Sequence, residues 1–265
     1  MVDLNSKYGS YALITGAASG IGRAFAEVLA QRGVNPILLD INAKDAEVLQ
    51  KELRERYRVD ARALILDLSA PDFMQAIIDS TQALDVGLVV HSAVVSFIGE
   101  YLEIPIEDHR KLVDVNICSS MEIAYYFCNQ FKARKRGGLI LLSSASALQG
   151  SALVQHYAAS KAYILTLAEG LWYELRVYGV DVLGLMPGST ETPAIHVGDP
   201  DLSQAYIMQP REVALEALEA LGRQPSLISG RRNRLSFFLL TRVLSRKRGT
   251  EIVSDRLMQM YHRKN

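Results

Sequence analysis

Tyr157 and Lys161 stand four residues apart in the run Tyr157-Ala158-Ala159-Ser160-Lys161. On a helix that spacing stacks the two side chains on one face, a turn apart. A phenol ordinarily ionises near pH ~10 and is a poor base at neutrality. A fixed ammonium beside it favours the phenolate, so the pair can pass a proton to or from a substrate at working pH. A lone Tyr-x-x-x-Lys says little, since both residues are common on surfaces, but its company says more. Thr15-Gly16-Ala17-Ala18-Ser19-Gly20-Ile21-Gly22 lies near the N-terminus, and Ser143-Ser144 lies just upstream of the Tyr. Gly16, Gly20 and Gly22 let a backbone turn tightly and let a pyrophosphate approach a helix N-terminus, with Ser19 and Ile21 in the same loop. Asp40 follows Gly22 by eighteen residues. There a carboxylate accepts hydrogen bonds from ribose hydroxyls and repels a 2′-phosphate, and its neighbour Ile41 adds no cation. The expected cofactor is therefore NAD rather than NADP, and the expected chemistry is hydride transfer. The plainer readings are a glycine-rich turn without a ligand and an Asp that only shapes a turn.

These residues need a scaffold that brings them to one crevice. Short apolar runs at 11–15, 36–40, 61–66, 86–91, 138–143, 180–186 and 226–229 read as strands. Amphipathic stretches at 21–32, 43–57, 72–83, 106–134, 156–178 and 211–223 read as helices. Continuously apolar strands with helices between them predict a Rossmann-type, doubly wound parallel sheet of seven strands, covered on both faces. Gly33 and the pair Gly137-Gly138 are expected to close helices in a left-handed turn, and Pro210 to open one.

The glycine loop, the Ser and the Tyr–Lys pair, in this order, resemble the short-chain dehydrogenase/reductase family over residues 8–229. The resemblance implies a hydride exchanged between NAD(H) and a secondary alcohol or ketone. It implies a catalytic set of Asn116, Ser144, Tyr157 and Lys161. Tyr157 would carry the proton and Ser144 steady the substrate oxygen, with Ser143 and Ser146 as nearby rivals. Lys161 would hold the ribose and lower the Tyr pKa, and Asn116 would support a water chain to the Lys. It further implies adenine contacts at Asp67 and Leu68, a kept Ala93, and nicotinamide contacts in Pro187-Gly188-Ser189-Thr190-Glu191-Thr192, with Pro187, Gly188, Thr190 and Thr192 touching the cofactor. One departure stands out. His91-Ser92-Ala93-Val94 replaces the family's usual Asn-Asn-Ala-Gly. His91 can replace a hydrogen bond between strands, while Val94 adds bulk beside the ribose. The resemblance also implies a homo-oligomer, dimer or tetramer, built on the two long helices. In the second of these, Ile164, Leu167, Leu171 and Leu175 form a stripe from which Tyr163 and Trp172 depart.

Segment 194–209 is expected to form a substrate lid. Its Ile195, Val197, Tyr206, Ile207 and Met208 suit an apolar substrate, steroid-, lipid- or acyl-like, and it holds no Lys or Arg. The chain has 265 residues and a formal net charge of zero, which fits one substantial core and gives no reason to expect nucleic acid as a partner. Cys118 and Cys128 have neither zinc-ligand nor disulfide-framework spacing, so no metal is expected and reduced thiols in a cytoplasmic protein are. Met1 to Lys7 contain no apolar leader segment, and no run of about 20 apolar residues exists to span a bilayer. Residues 230–265 form a distinct tail, expected to be helical, with ten Lys/Arg against two Asp/Glu. Three uses are open to it: closure over the substrate site or a subunit interface, peripheral contact with anionic lipid, or, last, nucleic-acid binding. A non-catalytic dinucleotide sensor and a membrane-surface scaffold are the rival readings of the whole chain. The intact Ser144, Tyr157 and Lys161 argue against both.

Overall fold

The computed structural model describes residues 3–203 and 205–261. Met1, Val2, Gln204 of the expected lid and 262–265 of the tail lie outside the described residues. The strands are β1 (Tyr11–Thr15), β2 (Asn35–Asp40), β3 (Arg62–Ile65), β4 (Val86–His91), β5 (Gly137–Leu142), β6 (Val180–Met186) and β7 (Ser226–Ile228). All pair in parallel, in the order β3-β2-β1-β4-β5-β6-β7. The order reverses between β1 and β4, whose last residues, Thr15 and His91, are register partners. The crevice at that reversal, beyond the carboxyl ends of the strands, is where such sheets take their ligands.

Strand side chains alternate between the two faces, and both faces are apolar. Ile14, Leu38 and Val90 enter one core with Phe25 and Val213, whereas Leu13, Leu39 and Val89 enter the other with Phe127, Phe131 and Ile164. The helices are α1 (Leu4–Tyr8), α2 (Gly20–Gln31), α3 (Ala43–Tyr57), α4 (Phe73–Thr81), α5 (Ile106–Val113), α6 (Ser119–Arg134), α7 (Gln155–Leu175), α8 (Pro210–Ala220), α9 (Arg231–Arg242) and α10 (Arg246–Met260). α8 opens on Pro210 as expected, within a capping box between Gln209 and Glu212. Gly33, just past α2, has φ +79°.

Two expectations need correction. The 106–134 stretch is not one regular helix, because a π-helical turn, Asp114–Cys118, joins α5 to α6. There Ser119 and Ser120 hydroxyls donate to the carbonyls of Val115 and Asn116, four residues back. Gly137 and Gly138 close no helix. They lie in β5, and Lys135 takes the left-handed conformation at the end of α6, with φ +52°. The glycines answer to packing instead. A Cβ on Gly137 would stand 2.2 Å from the Phe131 ring, and one on Gly138 3.0 Å from Tyr8 and Leu88.

Candidate active site

The glycine loop is shaped by what presses on it. Gly16 and Gly20 have φ of +64° and +54°, in the region that favours glycine. A Cβ on Gly16 would stand 2.9 Å from the Ala93 backbone, one on Gly22 2.0 Å from the Gly16 carbonyl, and one on Gly20 3.0 Å from Thr192 Cγ2. The loop therefore touches both the end of β4 and the segment after β6. Ser19 precedes α2 without a side-chain cap, so the first amides of that helix are left to an anion. Asp40 is held from two sides. Its Oδ2 accepts from Ala18 N at 2.8 Å and its Oδ1 from Asn42 N at 2.9 Å. A carboxylate has about four lone-pair sites, so ribose hydroxyls still find acceptors there. Ile41 beside it is 64 % exposed. Asp67 accepts from both the amide and the hydroxyl of Ser69, which hold its carboxyl below the usual range, and Leu68 is buried. These residues fit a dinucleotide: a bare helix N-terminus, a loop where side chains cannot enter, and a fixed carboxylate at the end of β2.

His91 lies at the centre of a directed chain of hydrogen bonds. Thr15 Oγ1 accepts from the amides of Ser92 and Ala93, each at 3.0 Å, so its own proton goes to His91 Nδ1 at 2.9 Å. That makes Nε2 the protonated nitrogen, and it donates to Ser119 Oγ at 3.2 Å, which donates in turn to Val115 O. Burial, and then the charge of Lys161, push the imidazole down to about 3, so it stays neutral. The His thus ties β1, β4 and the π-helical turn together. Val94, the bulkier replacement, is 41 % exposed.

Asn116, fully buried in the π-helical turn, clamps the backbone of Val95 from both sides, at 2.8 and 2.9 Å. Its amide also donates to Ser160 Oγ at 3.1 Å, on the helix that carries Tyr157. It acts as a positioning residue between the β4 loop and α7. Lys161 Nζ donates to Leu142 O at 2.8 Å and lies 5.6 Å from the Tyr157 ring centre. Burial pulls its ammonium down to about 7. Burial raises the Tyr157 phenol and the hydrogen bond with Ser144 opposes the rise. The net shift of the phenol is therefore upward, because desolvation acts on both groups and disfavours charge on each. Among the serines, Ser143 Oγ is committed to Lys161 O at 2.7 Å. Ser146 donates its amide and hydroxyl to Ser144 Oγ, at 3.2 and 2.8 Å, so the Ser144 hydroxyl proton goes to the Tyr157 oxygen rather than to Ser146.

The Pro187 turn joins this group through Ala145 N, which donates to Pro187 O at 2.9 Å. Thr190 Oγ1 donates to Gly188 O at 3.0 Å, and Thr192 faces the glycine loop at Gly20. In the lid segment, Met208 is buried in the core, where it pairs with Thr190. It does not line a substrate wall, because the segment folds back onto its own base. The lid holds no Lys or Arg of its own, but the tail brings one to it. Arg232 of α9 stacks over Tyr206, 5.2 Å from the ring centre. The tail supplies further contacts that sequence reading missed. Gln149 donates to Thr250 Oγ1 and to Arg246 O, Ala152 N to Ser254 Oγ at 3.0 Å, and Asp201 N to Met260 O at 2.8 Å. A Cβ on Gly188 would stand 2.5 Å from Asn233 Nδ2. α9 and α10 thus close over the loops that flank Ser144 and Tyr157. His156, next to Tyr157 in the chain, turns to His109, with the two Nδ1 atoms 2.8 Å apart.

The short chain dehydrogenase family model matches residues 10–201. A 7beta-hydroxysteroid dehydrogenase of Mediterraneibacter gnavus is 33% identical over 238 residues, 88% of this chain and 90% of that protein. A solved structure described as giving insights into 7beta-hydroxysteroid dehydrogenase stereoselectivity superposes with a TM-score of 0.90 at 29% identity, covering 95% of this chain and 99% of the other. A short-chain dehydrogenase from Sphingobium yanoikuyae, in complex with NADPH, superposes with a TM-score of 0.79 at 26% identity, covering 85% of this chain and 91% of the other.

Proposed function

The chain belongs to the short-chain dehydrogenase family, and from that premise we propose that it transfers a hydride between NAD(H) and an apolar secondary alcohol or its ketone. The observation that carries the proposal is that the Lys161–Leu142 and Ser143–Lys161 hydrogen bonds hold α7, the helix of Tyr157, against the end of β5, just before Ser144. Ser144 Oγ donates to the substrate oxygen, and Tyr157 Oη gives that oxygen a proton in reduction or takes one in oxidation. Lys161, anchored on Leu142 O, holds the ribose with its remaining protons. The nicotinamide, when bound, supplies or accepts the hydride. Gly16, Ser19, Gly20, Ile21 and Gly22 hold the pyrophosphate, Asp40 and Ile41 the adenosine ribose, and Asp67 and Leu68 the adenine. Ala93, Pro187, Gly188, Thr190 and Thr192 complete the nicotinamide side. With its phenol raised by burial, Tyr157 keeps its proton at neutral pH, the form that ketone reduction uses.

NAD is favoured over NADP by the fixed Asp40 carboxylate. Arg23, the first cation of α2, does not offset it, since it is tied to Glu27 at 3.0 Å and Glu52 at 2.7 Å. A rigid, polycyclic alcohol of steroid type agrees with the names of the relatives. The apolar groove on the outer face of α7, lined by Ala162, Tyr163, Thr166, Leu167 and Leu171, supports a symmetric dimer on α6 and α7. Tyr125 of α6, 74 % exposed, adds to that surface. Incubation with NAD or NADP and a panel of hydroxysteroids, long secondary alcohols and their ketones, followed at the reduced-nicotinamide absorbance, tests the function. Turnover of an apolar secondary alcohol with NAD preferred is expected. Silence across the panel would favour a dinucleotide-binding protein without catalysis.

A further inference from the structure

The two sides of α9 are built differently. Inward, Asn233 is buried, with its amide donating to Ser229 O at 2.9 Å, and Phe237 and Leu240 are partly buried. Outward, Leu235, Phe238, Leu239 and Val243 are 63, 57, 48 and 66 % exposed. Their spacing puts them on one stripe along the helix. Arg231 stands at the head of that stripe and Arg242 within its far end. Both are exposed, and neither has an ion pair among the described residues. The run from residue 231 to residue 248 contains no Asp or Glu, and Arg246, Lys247 and Arg248 follow the helix directly.

An apolar stripe this exposed needs a partner, and its charge says which. A second copy laid on it across a two-fold axis would set arginines against arginines with no acid on the face to offset them. An anionic lipid surface meets both features at once: acyl chains accept Phe238 and the leucines, and headgroups accept the guanidinium groups. We propose that the outer face of α9 docks the protein on an anionic bilayer. A twelve-residue helix is about 18 Å long, well short of a bilayer core of about 30 Å, so it lies in the surface plane. Correspondingly, no helix among the described residues is long and apolar enough to cross a membrane. The inner sides of α9 and α10 hold Gly188 and the loop at 148–152, so a docked protein sets the roof of the candidate active site against the lipid. That consequence, delivery of an apolar substrate from the bilayer, rests on the oxidoreductase reading. The docking itself does not.

Co-sedimentation of the full chain with vesicles reads docking without turnover, so the two proposals fail separately. The parent should sediment with phosphatidylglycerol–phosphatidylcholine vesicles, and at least tenfold less with phosphatidylcholine alone. Phe238→Glu with Leu235→Ser should abolish sedimentation, and Arg231→Gln with Arg242→Gln should weaken it at least tenfold. All four positions are exposed or partly exposed, and an unchanged melting temperature would show that each variant folds. A parent that stays in the supernatant with anionic vesicles would overturn the proposal. So would light scattering in which Phe238→Glu splits an oligomer, since the face would then belong to a second copy.

Discussion

A buried neutral imidazole at position 91 changes how the molecule responds to acid. In the folded chain His91 keeps its neutral form down to about pH 3, whereas in the unfolded chain it takes a proton below about 6.5. The unfolded state therefore binds more protons across that window, and stability falls as pH falls from about 6.5 toward 3. His91→Asn should flatten this part of the stability curve, by up to a few kcal/mol over the window. Denaturant unfolding at a series of pH values checks it, and parallel curves for parent and variant would contradict the assignment. Asp40 carries a second expectation. Asp40→Ala removes the repulsion of a 2′-phosphate, so calorimetry should show NADP affinity rising relative to NAD, and a parent that already binds NADP more tightly would refute the role given to Asp40. The Tyr–Lys spacing and the glycine loop are legible in the sequence because each depends on a few neighbouring residues. The partners of His91 are not, because Thr15 and Ser119 reach it only through strand register and a π-helical turn. The upward shift of Tyr157 is not legible either: spacing reports proximity to Lys161, but burial decides the net direction.

At the scale of elements, periodicity carries most of the fold. Apolar runs of strand length between amphipathic stretches define all seven strands to within a residue or two, since both faces of the sheet are buried and the pattern leaves little freedom. Glycines are harder to read. A glycine answers either to a positive φ or to a neighbour that leaves no room, and sequence shows neither. Gly137 belongs to the second kind. Gly137→Ala would push a methyl into the buried Phe131 ring, 2.2 Å away. It should cost about 1–3 kcal/mol or more in thermal or denaturant unfolding, and a neutral effect would mean that α6 moves freely against β5. The π-helical turn is likewise not legible, because it shifts the apolar pattern by a single residue and leaves the helix continuous.

For the whole molecule, the tail follows the first of the uses open to it, closure over the site. Composition marks 230–265 as basic and apolar, but only long-range contacts such as Gln149 with Thr250 show it closing over the site. Assembly also belongs to this scale. Leu167→Arg, in the groove on α7, should turn a dimer into a monomer of about 29.3 kDa in light scattering; a parent that is already monomeric would refute the dimer. The central claim is proton transfer by Tyr157, and Tyr157→Phe tests it most directly, since it removes one hydroxyl and keeps the ring. Measured beside the parent on a substrate that the parent turns over, the variant should lose about 10²–10⁴ in kcat while the nucleotide Kd changes by no more than a few fold. Turnover in Tyr157→Phe close to that of the parent would contradict the account.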